Sequence, residues 1–196
     1  LAQLSADGRY VAFESAASNL VAGDTNGVVD IFVKDLQSGA VQRVSTDAAG
    51  VQGNRGFYDG SDDYQFSADG RYVVFDSMAS NLVAGDTNGA FDIFVKDLQS
   101  GAIQRVSTNA AAGQSNNSSQ FCSISADGHY VVFTSFASNL VVDDTNGTFD
   151  IFVKNLQSGA IQRVSTDASG GQSNGDSSMS QLSADGRYVV FDSTAN

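Results

Sequence analysis

Proline and tryptophan are missing from this chain, and histidine and cysteine occur once each, as His129 and Cys122. A single cysteine excludes an intrachain disulfide, and one His with one Cys excludes an ordinary zinc site. A lone histidine in the Ser-Ala-Asp-Gly turn is also a poor basis for a Ser-His-Asp arrangement. It stands where Arg9, Arg71 and Arg187 stand in neighbouring segments, which reads as a surface variant. Cys122 falls among strand residues and is expected to be a small buried hydrophobe. Glutamate is nearly as scarce, since Glu14 is the only one among 22 acidic residues. Helical surfaces favour Glu and Lys, so the shortage argues against helices, and no amphipathic helical pattern occurs. No apolar run approaches the roughly 20 residues of a membrane-spanning helix, so membrane insertion is not expected.

Positive charge is also in short supply. A net charge of -12 argues against nucleic acid, because phosphate binding needs clustered Lys and Arg. Apart from Arg55, every basic residue stands at a repeated position: Arg9, Arg71 and Arg187; Lys34, Lys96 and Lys154; Arg43, Arg105 and Arg163. That placement implies a role within each repeat rather than a basic patch.

What remains is rich in turn formers and strand formers. The 20 glycines, with many Asp, Asn and Ser, separate short β-branched and aromatic runs, the pattern of an all-β chain. Ser-Ala-Asp-Gly recurs at Ser5, Ser67, Ser125 and Ser183, spaced by 62, 58 and 58 residues. These spacings divide the chain into repeats 1–62, 63–120 and 121–178 and a remnant, 179–196. Each full repeat offers four strands: a short one before Ser-Ala-Asp-Gly; a run such as Tyr72–Ser77, apolar on both faces; Asp-Ile-Phe-Val-Lys; and Val-Gln-Arg-Val or Ile-Gln-Arg-Val. Four short antiparallel strands per repeat predict a β-propeller-type array of about three and a half blades. The chain begins at Leu1 rather than methionine and its fourth repeat is partial. It is expected to be a processed product, an excised piece or the ordered part of something longer.

In such a meander alternate connections fall at opposite ends of the sheet. The short Ala-Asp-Gly and Gln-Ser-Gly turns then share one face of the array. The two long connections share the other, where binding is expected. One of these contains Asp24, Asn26 and Asp30, and again Asp86, Asn88 and Asp92, and again Asp144, Asn146 and Asp150. Alternating Asp-x-Asn with a following glycine and a later Asp is a shortened form of a calcium loop, so these nine residues are expected to hold Ca²⁺. The same Asp-Thr-Asn-Gly is also a good turn sequence that needs no metal. The other long connection is widened in the first repeat, where Arg55, Phe57, Tyr58, Asp59, Asp62 and Asp63 form a candidate recognition loop. Phe57 and Tyr58 serve equally well as a plug for the widened loop.

The run Ser-Ala-Asp-Gly-Arg-Tyr-Val-Val-Phe-Asp-Ser followed by Asp-Ile-Phe-Val-Lys-Asp-Leu-Gln-Ser-Gly-Ala-Ile-Gln-Arg-Val-Ser resembles the bacterial TolB-like repeat, the PD40 type of WD40-like propeller. Two features depart from that pattern. Ala6, Ala68, Ala126 and Ala184 stand where it has proline, and the Gly-Asp-Thr-Asn-Gly insertion resembles a longer subgroup found in large secreted or surface bacterial proteins. The resemblance implies a bacterial extracellular or cell-surface location. Near-identical repeats argue for repeated equivalent functions rather than one catalytic centre. The expected function is therefore a non-enzymatic, calcium-stabilised scaffold for binding or adhesion to a protein or glycan ligand. Two alternatives stand beside it: a structural subunit that self-associates through open blade faces into a filament or surface layer, and the propeller domain of a larger secreted enzyme.

Overall fold

The computed structural model describes residues 2–56 and 64–196. It contains β1 (Ala2–Leu4), β2 (Tyr10–Ser15), β3 (Asp30–Asp35) and β4 (Val41–Arg43) in one antiparallel sheet ordered as in the chain. β5 (Tyr64–Phe66), β6 (Tyr72–Ser77), β7 (Asp92–Asp97) and β8 (Ile103–Arg105) form a second. β9 (Ser119–Ile124), β10 (Tyr130–Ser135), β11 (Asp150–Asn155) and β12 (Ile161–Arg163) form a third. β13 (Ser177–Leu182) and β14 (Val189–Ser193) make a two-stranded sheet. The expected all-β array of three four-stranded blades and a half blade is borne out. Among the described residues no helix is long and apolar enough to cross a membrane.

The doubly apolar second and third strands are explained by the stacking of these sheets. One face of the middle blade packs Val73, Phe75 and Phe94 against Ala12, Ile31, Val33 and Val44 of the first. Its other face packs Val74, Ile93 and Val95 against Val131, Phe133 and Phe152 of the third. Each side chain of this kind contributes about 1.5–3 kcal/mol by leaving water. Within each blade a phenylalanine of the second strand stands directly opposite one of the third. The pairs Phe13–Phe32, Phe75–Phe94 and Phe133–Phe152 are stacked with ring centroids 5.9 Å apart.

Each Ser-Ala-Asp-Gly turn is closed by its own side chains. The Ser5 hydroxyl donates to Asp7 Oδ1 (2.6 Å) and accepts from the Tyr10 amide (2.8 Å), while the Arg9 amide also donates to Asp7 (3.0 Å). Those donors hold the Asp7 carboxyl below its ordinary range, the Ser5 hydroxyl foremost. Gly70 in the second turn has φ +67°, and a Cβ there would lie 2.7 Å from Cδ2 of Tyr10 in the preceding blade. Glycine is thus required twice over, for the turn and for the blade contact. The alanines at the proline position have a use as well. The Ala68 amide donates to the Ala126 carbonyl and the Ala126 amide to that of Ala184, both at 3.0 Å. Proline has no N–H to make these inter-blade bonds.

Cys122 is half-buried at the edge of the second interface rather than fully enclosed. β9 shifts register around it and Phe121 takes a positive φ of 55°, so the strand carries a bulge that turns its side chains partly outward.

Candidate functional site

The two ends of the array differ as the meander requires. At one end the Leu36 amide donates to the Arg9 carbonyl (2.8 Å), and Leu98 with Arg71 and Leu156 with His129 repeat the bond, so the two short turns lie together. At the other end the acidic loop meets the connection after the fourth strand. The Thr25 amide donates to Gln52 Oε1 (3.2 Å), and Gln52 Nε2 donates to the Thr25 hydroxyl (2.8 Å). Thr87 with Gln114 and Thr145 with Gln172 keep the backbone part of this link.

Asn26 organises the loop. Its side-chain oxygen accepts from the Val28 amide (3.3 Å), and its Nδ2 donates to Asp30 Oδ2 (2.9 Å) and to the Gly53 carbonyl (3.2 Å). Asn88 and Asn146 make the same three bonds, to Asp92 and Asp150 and to the carbonyls of Ser115 and Ser173. The other oxygen of the later aspartate is held by serine. Ser45 Oγ donates to Asp30 Oδ1 (2.6 Å), Ser165 Oγ to Asp150 (2.6 Å), and both Ser107 and Ser115 to Asp92. Asp30, Asp92 and Asp150 are buried at 1% exposure or less, so these donors are what makes their burial tolerable.

Between the two carboxylates of every repeat stands an arginine from the end of the fourth strand. Arg43 Nη1 lies 3.6 Å from Asp24 and 3.3 Å from Asp30. Arg105 Nη1 lies 3.5 Å from both Asp86 and Asp92, and Arg163 Nη1 lies 3.3 Å from Asp144 and 3.8 Å from Asp150. Arg43 also hydrogen-bonds Gln52 Oε1. Nε and Nη1 of Arg105 and Arg163 are buried with no hydrogen-bond partner, so these two guanidinium groups act as charge partners rather than as forks. Burial, then the charge of the neighbouring aspartate, raises the pKa of Asp86 and Asp144 against the opposing pull of the arginine.

The nine residues expected to hold Ca²⁺ thus come to three equivalent places, each with a guanidinium inside it. Calcium takes about six to eight oxygens. Here the later aspartate spends both oxygens on amide and hydroxyl donors, Asn26 turns an N–H inward, and a fixed positive charge stands between the carboxylates. The donor set as arranged does not fit Ca²⁺. Among the described residues no group of three or more His, Cys, Asp or Glu is placed to hold a metal ion. The sequence did carry a signal for the arginine: Arg43, Arg105 and Arg163 each follow the later aspartate by 13 residues.

Lys96 and Lys154 act between blades rather than within one. Lys96 Nζ donates to the carbonyl and hydroxyl of Thr46 (3.0 Å each) and to the Asp47 carbonyl (2.8 Å). Lys154 does the same to the carbonyls of Thr108 (2.8 Å) and Asn109 (3.1 Å). Burial pushes both ammonium groups below their ordinary pKa. A second clasp comes from Ser-Asn-Leu. Asn54 Nδ2 donates to Ser80 Oγ, the Ser80 amide returns a bond to Asn54 Oδ1, and Asn81 binds the Gln52 carbonyl. Asn116 with Ser138 and Asn139 repeats it.

Of the candidate recognition loop, Arg55 is exposed, and Phe57, Tyr58, Asp59, Asp62 and Asp63 lie outside the described residues. His129 stays on the short-turn face, with Nδ1 3.1 Å from Asp127 and Nε2 2.9 Å from the Gln157 amide nitrogen. The nearby Ser125 hydroxyl donates to Asp127, not to the imidazole, so no nucleophile–base pair forms there.

No family model and no curated relative matches the chain. Solved structures do. TolB from Acinetobacter baumannii is similar over 97% of this chain and 36% of its own, at 21% identity and a TM-score of 0.56. A putative TolB from Agrobacterium tumefaciens is similar over 98% and 57%, at 19% identity and 0.55. Porphyromonas gingivalis dipeptidyl peptidase 4 is similar over 99% and 29%, at 14% identity and 0.57. The chain therefore spans between 29 and 57% of the length of these structures and has the fold of a TolB-like, WD40-like β-propeller.

Proposed function

We propose that this chain is a non-enzymatic propeller scaffold whose long-loop face binds a protein or glycan ligand, in the extracellular or cell-surface setting expected from the sequence. The observation that carries the reading is the bracing of that face. In three successive blades the acidic loop is tied to its own arginine and to a glutamine of the neighbouring connection, and its later aspartate to a buried serine. Rigid, repeated loops of this kind present the variable positions beside them without ordering cost at the moment of binding. The stiffening expected from calcium is, on this reading, supplied by arginine.

The test is an array of surface glycans and extracellular proteins probed with the intact chain, with every hit mapped by substitution. Lysine placed at Ala22, Ala84 and Val142, exposed on the acidic loops, should remove binding. Lysine at Gln37, Gln99 and Gln157 on the short-turn face should leave it unchanged. A ligand that maps to the short-turn face, or turnover of any ligand by the chain, contradicts the proposal.

A further inference from the structure

Asparagine is followed by glycine in each acidic loop, as Asn26 with Gly27, Asn88 with Gly89 and Asn146 with Gly147. That pair is prone to deamidation, because no glycine side chain hinders the approach of the glycine nitrogen to the asparagine amide carbon. The fold nevertheless requires both residues. Gly27, Gly89 and Gly147 take φ of +68°, +66° and +64°, and a Cβ at any of them would meet nothing within 4 Å. Conformation rather than space therefore demands glycine. Asparagine is demanded by its bonds, since one side chain must accept from an amide and donate to two oxygens, which an aspartate carboxylate cannot do.

The same bonds restrain the reaction. Asn88 Nδ2 lies 3.0 Å from Asp92 Oδ2 and 3.0 Å from the Ser115 carbonyl, and Oδ1 accepts from the Ala90 amide at 3.0 Å. Attack requires the Asn88 amide carbon to close to bonding distance of the Gly89 nitrogen while Nδ2 departs. The side chain must then leave its partners, and Asp92 among them is fully buried, so the closed loop resists the step. Asn26 and Asn146 are held alike, with Nδ2 2.9 Å from Asp30 and from Asp150. The three glycines are exposed, so access of water does not limit the reaction.

We propose that Asn26, Asn88 and Asn146 are latent modification sites, inert while their loop is closed and deamidated when it opens. In the open loop the Gly89 nitrogen attacks the Asn88 amide carbon, a new C–N bond closes a cyclic imide, and the bond to Nδ2 breaks. The proton of the Gly89 amide passes through water to the departing nitrogen, which leaves as ammonia. Water then adds to one imide carbonyl and opens the ring, leaving aspartate or isoaspartate, with nothing oxidised or reduced. The product does not fit the closed loop. A carboxylate oxygen in the place of Nδ2 would stand at the same 3.0 Å from the Asp92 carboxylate and the Ser115 carbonyl, three acceptors with no proton between them. Opening followed by reaction is thereby one-way, and the long-loop face loses its bracing one repeat at a time.

The intact folded chain, the same chain unfolded in urea, and a synthetic peptide with the sequence of residues 85–91 are incubated side by side at mildly alkaline pH, the peptide with and without urea. Conversion at each asparagine is read by peptide mapping and mass spectrometry. The unfolded chain should convert Asn88 at the rate of the peptide in urea. The folded chain should convert Asn26, Asn88 and Asn146 at least about tenfold more slowly, because reaction must wait for an opening. Asn88→Asp, which installs the product directly, should lower the melting temperature in chelator, where no cation offsets the added carboxylate. Equal rates in the folded chain and the free peptide, or an Asn88→Asp chain as stable as the parent, would overturn the proposal.

Discussion

Lys96 Nζ lies 3.0 Å from the carbonyl oxygen and 3.0 Å from the hydroxyl of Thr46, a residue fifty positions earlier in the chain and one blade away. The equivalent Lys34 is exposed, because no blade lies before its own among the described residues. Lys96→Met should therefore cost about 1–3 kcal/mol, the expense of leaving buried carbonyls without a donor. Lys34→Met should change stability by less than about 0.5 kcal/mol. Denaturant unfolding of the two variants checks the contrast, and equal losses would mean that the inter-blade contact contributes nothing.

Glycine at the turns supplies a second internal control. A Cβ at Gly70 would press on Tyr10 at 2.7 Å, whereas one at Gly8 would meet nothing closer than 3.9 Å, and both have φ near +70°. Gly8→Ala should cost about 1–2 kcal/mol from backbone strain alone. Gly70→Ala adds the clash with the neighbouring blade and should cost about 2–5 kcal/mol. Melting temperatures that fall equally would place Tyr10 elsewhere.

Acid sensitivity should trace to the short-turn ion pair. Arg71 and backbone amides lower the Asp97 pKa to about 2, Arg71 first. A depressed folded-state pKa contributes stability that is present above the ordinary carboxylate range and lost as pH falls toward about 2. Asp97→Asn should therefore be less stable than the parent at neutral pH, with the gap closing over that interval. In the third repeat His129 and Asn155 replace the pair together, so Asn155→Asp alone should not reproduce the effect. Urea midpoints across pH 2 to 7 are the measurement.

Arg105→Gln removes the positive charge between Asp86 and Asp92. Breaking a buried pair in this way should cost about 3–5 kcal/mol. Asp86 already has a raised pKa from burial and from Asp92, and losing Arg105 raises it further. A raised carboxylate pKa means that the fold prefers the protonated form, so the variant should recover stability as pH falls from 7 toward 5. A loss that is independent of pH would assign Arg105 to packing alone.

Much of this was legible in the residues. The Ser-Ala-Asp-Gly spacing and the doubly apolar runs such as Val73–Phe75 dictate stacked four-stranded blades, because only a sheet covered on both faces buries that pattern. Strand order alone then sends the acidic loops and the long connections to one face. Partners distant in sequence were less accessible. Asp24, Asn26 and Asp30 are neighbours in the chain and suggest a cation, while their counter-charge arrives on Arg43 from another strand. The lysines read as belonging to their own repeat because a repeat alignment shows that Lys96 recurs, not that it reaches across to Thr46. Ser80 and Asn81 stand just before the acidic loop in sequence, yet their bonds run to Asn54 and Gln52 of the preceding repeat.

The central claim is that an arginine guanidinium, not a metal ion, neutralises each acidic loop. Thermal unfolding of the intact chain in chelator and in millimolar Ca²⁺ tests it most directly, because a metal bound only by the native state must raise the melting temperature by mass action. The account predicts superimposable transitions for the parent chain. A calcium-dependent rise in its melting temperature would contradict it and return Asp24, Asn26 and Asp30, with their counterparts, to the role of metal ligands.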